Sequence, residues 1–296
     1  MTEGVGGVSG TSRVVDIRYT GYDGPRRGRL VGVLALARWS AFRALGGRRG
    51  WKAKFVPIAL LLVAFGPAVA ILGLRALFGS QIRIDLANLL PYARYDSMIS
   101  LVILAFAVIM APELVCPDRR DRVLDLYFPT AVSPREYLFA KLLAAFVPMC
   151  AVTILPVLFL YVGNVLFALH PVGYVQGHAS EAPRIVLAGL LIALYYAVLG
   201  LAVASLTSRR PFAMGGLAGL VVATGATTAV LVRGLGLSGN LRVLALPLVP
   251  LVLARKCFST SEGPPDVATT TWLIAYIAIL AVGLSVLLRR YRGRGA

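Results

Sequence analysis

Six charged side chains of both signs lie within eight positions of a chain that is otherwise largely apolar. They are Asp118, Arg119, Arg120, Asp121, Arg122 and Asp125. Leu124, Tyr127 and Phe128 accompany them. Mixed charges beside aromatic anchors are typical of a surface that docks another protein, because charges select the partner and rings bury against it. The alternative interpretation is an ordinary positively charged loop with a helical turn.

Residues that carry bond-making chemistry are scarce elsewhere in the chain. His170 and His178 are the only histidines, and they form no metal-binding motif. The sequence contains no Gly-x4-Gly-Lys-Ser/Thr phosphate loop, no Gly-x-Ser-x-Gly nucleophile segment and no Cys-x2-Cys pair. We therefore expect a non-catalytic chain that binds no metal and no cofactor of its own.

The composition predicts a membrane protein. Of the 296 residues, 58% are hydrophobic and only 15% are charged, and the mean hydropathy is +0.79. Water-soluble domains carry charge on about a quarter of their residues. Six apolar windows are long enough to cross a hydrocarbon layer roughly 30 Å thick. The predicted fold class is all-α and polytopic, with six transmembrane helices at residues 55–77, 97–115, 138–169, 185–206, 212–232 and 271–288.

The distribution of positive charge predicts the orientation of these spans. Alternate loops and both termini carry 22 Lys and Arg residues, whereas the opposite loops carry 7. Because cytoplasmic loops are enriched in Lys and Arg, both termini are expected in the cytoplasm of a cell-membrane protein. The net charge of +17 concentrates at span ends, so membrane lipid head groups rather than nucleic acid are its expected partner.

The elements that would position the charged cluster divide the chain into segments. The segments are a flexible cytoplasmic amino terminus at 1–28, an amphipathic interfacial helix at 29–54, the transmembrane domain at 55–288, a docking element at 116–137, a re-entrant outer segment at 234–270 and a basic cytoplasmic tail at 289–296. A purely cytoplasmic helix is the alternative for the second segment. Pro247 and Pro250 break the outer segment, for which a seventh span is the alternative.

Several residues near or within the spans have predicted packing roles. Gly215 and Gly219 lie four apart in the fifth span, a spacing that lets helix backbones approach closely. Contact with a second copy and packing within the chain are both open interpretations. Glu113 is expected to pair with Arg120 or Lys141, and a proton-relay role is the alternative. Asn164, in the third span, is expected to hydrogen-bond a neighbouring helix, and a contact with a substrate is the alternative.

The order of these features resembles ABC-type-2 permeases, the transmembrane subunits of ATP-driven exporters, and specifically an actinobacterial-like subgroup. The residues that carry the resemblance are Tyr22 to Arg26 before the first helix, then Arg119, Arg120, Leu124, Leu126, Ser133, Arg135 and Lys141. The chain departs from the family where Arg122 and Val123 replace a Gly-Thr pair. It departs again where Ala131 replaces a proline.

The resemblance implies a function and a set of partners. The interfacial helix would be the family's elbow helix, and the docking element would be its coupling helix. ATP and Mg would bind a separate ABC ATPase subunit, which would dock on the charged cluster and drive alternating access. A second permease copy would complete the complex, with Gly66 and Gly219 at the seam. A secondary transporter or channel that does not use ATP is the alternative.

Overall fold

The structure, a computed structural model, describes residues 28–47, 50–78, 90–121, 133–168, 170–258 and 267–292. Every regular element within these ranges is a helix. The α-helices are α1 Arg29–Ala44, α2 Trp51–Phe78, α3 Tyr92–Met98, α4 Ser100–Arg120, α5 Pro134–Leu166, α6 Pro171–Gly177, α7 Glu181–Leu206, α8 Arg210–Ala229, α9 Leu248–Cys257 and α10 Thr269–Arg292. A π-helical turn, Val230–Gly234, extends α8, and a 3-10 helix covers Gly239–Leu244.

Six of the described helices are long and apolar enough to cross a membrane, namely α2, α4, α5, α7, α8 and α10. The predicted all-α class and the six long apolar helices are therefore confirmed, and they fit a multi-pass membrane protein. The main difference is that α4 continues to Arg120, five residues beyond its predicted end. The prediction ended the span where charged residues begin, whereas the helix continues because neighbouring helices pair those charges.

Helix α7 occupies the centre of the bundle. Its apolar window is 72% buried, compared with 22% for α2, 17% for α8 and 22% for α10. It packs against α4, α5, α8, α9 and α10. The outer helices consequently present apolar side chains away from the protein, as expected where lipid replaces water as the solvent.

The first and last helices meet at one end of the bundle. The rings of Tyr137 at the start of α5 and Tyr291 at the end of α10 lie 5.5 Å apart. Helix α1 packs against α5 and α4 through a face that includes Ala37 and Ala44, while Leu30 and Leu34 are exposed. We call this the termini end, and the opposite end, which contains α3, α6 and α9, the far end.

The outer segment forms no crossing within the described residues. Helix α9 has ten residues, too few for a hydrocarbon layer roughly 30 Å thick. Its residues from Val249 to Ala254 are buried against the rest of the bundle. A seventh span is therefore not found in the part of 234–270 that the structure describes. Residues 259–266 lie outside the described ranges.

We expect a valine at Gly200 to destabilise the bundle by about 1–3 kcal/mol, because overpacked cores must shift to accommodate added carbon atoms. A Cβ at this position would lie 2.8 Å from the Cβ of Ala111, which cannot rotate away, so α4 and α7 must separate. The matched control is Gly216→Val, where the nearest atom, on Val203, is 3.5 Å away. The measurement is the apparent melting temperature of the detergent-solubilised chain. Equal melting temperatures for Gly200→Val and Gly216→Val would show that the close contact between Gly200 and Ala111 does not limit the packing of α4 and α7.

Candidate functional site

A buried cluster of charges joins three helices at the termini end. The carboxylate of Asp118 on α4 accepts a hydrogen bond from Arg43 Nη2 on α1 at 2.5 Å. Its second oxygen accepts one from the Tyr137 hydroxyl at 3.0 Å and lies 2.6 Å from Lys141 Nζ. The side chains of Asp118 and Lys141 are 3% and 2% exposed. We call Ser40, Arg43, Asp118, Tyr137 and Lys141 the brace.

Local sequence explains how two helices present their halves of the brace. Ser133 and Glu136 form a reciprocal capping box that begins α5. Tyr137 and Lys141 lie four residues apart in this helix and therefore face the same side. On α1, Ser40 and Arg43 lie three residues apart and share a face for the same reason. Lys141 Nζ also donates to Ser40 Oγ at 2.9 Å.

The brace supplies what a buried charge requires. Removing an ionised group from water costs several kcal/mol unless a counter-charge and hydrogen bonds replace the water. Asp118 receives two cations and one hydroxyl, and Lys141 receives a carboxylate and a hydroxyl. The arrangement fixes the end of α4 relative to α1 and α5.

A second set of contacts joins the end of α4 to the turn between α7 and α8. The guanidinium of Arg119 donates to the carbonyl of Ser205 and, at 3.2 Å, to that of Thr207. Arg210 Nη1 donates to Glu113 Oε1 at 2.9 Å. The end of α4 is therefore tied to four other helices in total, namely α1, α5, α7 and α8.

Two charges at the tip of α4 remain accessible. The side chains of Arg120 and Asp121 are 81% and 61% exposed and lie 4.0 Å apart, which is a weak surface pair. Beside them is a cavity of about 540 Å³, lined in part by Arg209 and Arg210. This tip combines two exposed charges with a helix end that contacts neighbouring helices through Asp118 and Arg119.

The structure divides the predicted docking residues into three groups. Asp118 and Arg119 contact their own chain, and Arg120 and Asp121 are exposed. The remaining docking residues, Arg122, Leu124, Asp125, Tyr127 and Phe128, lie outside the described residues. The expected solvated helix face therefore does not include Asp118, because α1 and α5 cover it and supply its counter-charges.

Two predictions about polar residues have different outcomes. Glu113 pairs with Arg210 and with neither Arg120 nor Lys141, so that prediction is wrong. Its partner lies on α8, a helix whose position beside α4 the sequence does not reveal. Asn164 was expected to bond a neighbouring helix, and it accepts from Arg75 at 2.9 Å and donates to the Tyr92 hydroxyl at 2.8 Å. That prediction is confirmed.

Sequence reasoning missed three members of the brace, namely Ser40, Arg43 and Tyr137. The available signal was Lys141, a cation seven residues inside a helix that must cross a membrane, which needs an anionic partner. Asp118 is among the nearest carboxylates along the chain, so the sequence alone could have suggested the ion pair between Asp118 and Lys141. The contributions of α1 depend on its packing against α5.

The three glycines predicted for helix packing all face open space. A Cβ at Gly66, Gly215 or Gly219 would meet no atom within 4 Å, apart from its own chain neighbours and helix backbone. Close packing among the described residues therefore does not require glycine there. Contact with a second copy remains a prediction.

No protein-family model and no curated protein matches this chain. Among the residues that the structure describes, no three His, Cys, Asp or Glu side chains come together as a metal site. The geometry established for this chain is thus a six-span helical bundle with a braced, charged helix end.

Proposed function

We propose that this chain is the membrane subunit of an ATP-driven ABC exporter, and that it forms the substrate path while a separate ATPase binds ATP and Mg. The observation that carries the proposal is the braced end of α4. An exposed tip that is anchored internally to several helices suits a part that receives force from another protein. The sequence resemblance to ABC-type-2 permeases supplies the identity of that protein.

The brace supports a mechanism for force transmission. A partner that displaces Arg120 and Asp121 also displaces α1 and α5 through Asp118. The same displacement reaches the turn between α7 and α8 through Arg119. ATP binding to the partner would drive this switch only if the partner contacts the two states of the bundle with different affinities.

The outer helices support the proposed assembly with a second copy. Helices α2, α8 and α10 are mostly unburied within one chain, and α2 and α8 carry Gly66, Gly215 and Gly219 on open faces. Small residues on an exposed transmembrane face allow two helix backbones to approach closely. Membrane lipids are expected to cover the remaining apolar surface.

Charge reversal at the tip tests the proposed docking. We expect the double variant Arg120→Glu and Asp121→Arg to lose at least tenfold in co-purification with the proposed ABC ATPase, which is to be sought in the neighbouring reading frames. Reversed charges oppose the partner's own pattern, and a tenfold loss corresponds to about 1.4 kcal/mol. The measurement is the molar ratio of the two proteins after affinity purification.

The matched control is Arg184→Glu at the start of α7, which reverses one charge at the far end. This variant is expected to retain the ATPase at the wild-type ratio. If the tip variant retains the partner as well as the control does, the tip is not the docking surface. If the wild-type chain retains no ATPase, the proposed function itself is wrong.

A further inference from the structure

A cavity of about 350 Å³ at the far end brings together three arginines from three separate elements. Arg233 comes from the π-helical turn, Arg242 from the 3-10 helix and Arg255 from α9. The hydroxyl-bearing residue Thr228 also lines it, and no carboxylate does so among the described residues. A volume of this size lies at the small end of ligand sites, which run from roughly 300 to 1,000 Å³.

The backbone of this region directs the arginines to one place. The helix formed by α8 changes to a π-helical turn at Val230, and such turns are frequent at functional sites. Gly236 then adopts a φ of 64°, a conformation that favours glycine, and the chain reverses into the 3-10 helix. Arg233 and Arg242 thus approach the cavity from opposite sides of this reversal.

The third guanidinium is held in position by a hydroxyl group. Nε and Nη2 of Arg255 donate to Ser97 Oγ at 3.0 and 2.7 Å. Ser97 belongs to α3, so the contact connects two elements that are distant in sequence. A guanidinium oriented in this way loses less conformational freedom when it binds an anion.

The electrostatics of the cavity favour a negatively charged ligand. The far end carries few of the chain's cations, since its loops hold 7 Lys and Arg residues against 22 on the other side. Three of those seven meet around one cavity. Guanidinium groups bind anions through charge-assisted hydrogen bonds, so three of them lining one partly enclosed space favour a negatively charged ligand.

The remaining walls indicate the chemical class of that anion. Val232, Leu248 and Val252 make part of the lining apolar, and Leu235 and Leu244 nearby are mostly exposed. The cavity lies at the end of the candidate span Arg210–Gly234, the depth at which lipid head groups lie. Arginine forks bind phosphate through paired hydrogen bonds.

We propose that this cavity binds the phosphate group of an anionic phospholipid, with Arg233, Arg242 and Arg255 on the phosphate and the apolar walls against the lipid glycerol and upper chains. The site is independent of the proposed export function, because it requires neither the ATPase nor turnover.

The test is lipid binding to the purified wild-type chain, measured by native mass spectrometry with phosphatidylglycerol. The double variant Arg233→Gln and Arg242→Gln is expected to bind at least tenfold more weakly, since it removes two of the three charge-assisted contacts to the phosphate. Arg184→Gln removes a charge from the same end, outside the cavity, and is expected to bind as the wild type does. Arg233→Gln alone, at an exposed position, is the second variant, used if the double variant does not purify as a monodisperse protein.

Two further binding measurements identify the chemical class of the ligand. Phosphatidylcholine has the same phosphate without net charge, and it is expected to bind more weakly than phosphatidylglycerol. Inorganic phosphate is expected to compete only at much higher concentration, because it lacks the apolar contacts. Equal binding of the two lipids, full competition by low phosphate, or equal binding by the cavity variant and the Arg184→Gln control would each overturn the proposal.

Discussion

Replacing Asp118 with asparagine is expected to destabilise the bundle by about 3–5 kcal/mol, the range found when one partner of a buried ion pair is removed. The asparagine has nearly the same shape but no charge. Lys141, which is 2% exposed, would keep the Ser40 hydroxyl but lose its carboxylate, while the like charge of Arg43 would stay nearby. We expect a fall in the apparent melting temperature on the order of 10 °C for the detergent-solubilised chain.

A chemically identical change nearby provides the control for this experiment. Asp121→Asn alters an exposed carboxylate three residues further along, and such surface changes usually stay within about 0.5 kcal/mol. Equal melting temperatures for the two variants would show that the brace does not stabilise the fold.

A second variant separates loss of the pair from loss of a single charge. Lys141→Met combined with Asp118→Asn removes both charges, so the ammonium is no longer buried without a carboxylate. The double variant is therefore expected to be more stable than Asp118→Asn alone, and the coupling energy from the full cycle measures the pair. A coupling energy near zero would contradict the direct contact between the two side chains.

The stability of the chain is expected to fall as the pH rises from about 4 to about 7, because of Asp96 on α3. This side chain is 5% exposed, and its Oδ1 is buried without a hydrogen-bond partner among the described residues. Burial disfavours the charged form and raises the pKa of Asp96 from 3.8 to about 7. The neighbouring Tyr95 stays neutral across this range, since burial raises its pKa to about 12.

The direction of the effect follows from proton binding. Between these two pKa values the folded chain holds a proton on Asp96 that the unfolded chain has released. The contribution of this group is therefore complete below pH 4 and is lost as the pH rises through 7. The difference between the two pKa values corresponds to roughly 4 kcal/mol.

Asparagine at position 96 isolates this contribution. Asp96→Asn keeps the shape of the protonated acid and cannot ionise, so we expect the variant to exceed the wild type in melting temperature at pH 8 and to match it at pH 4. The measurement is the apparent melting temperature across that range, with Asp121→Asn as the exposed control that retains the wild-type profile. A parallel profile for Asp96→Asn would show that another group governs the pH dependence.

The six spans were predictable because hydropathy is a local property. Each window requires only its own residues to be apolar, and lipid imposes the same condition on all of them. The capping residues Ser133 and Glu136 likewise mark the start of α5 in the sequence itself. The end of α4 was not predictable, since its last turn is stabilised by Arg43 and Lys141.

Ion pairs between helices that are distant along the chain were not predictable either, because they depend on which helices pack together. Glu113 meets Arg210, 97 residues away, and Arg43 meets Asp118, 75 residues away. Arg233, Arg242 and Arg255 read as separate cations at span ends until the π-helical turn and the 3-10 helix bring them to one cavity. By itself the sequence determined the membrane class, the number of crossings and where charge interrupts them. Only the tertiary structure decided which charges are buried together, because that depends on which helices pack side by side.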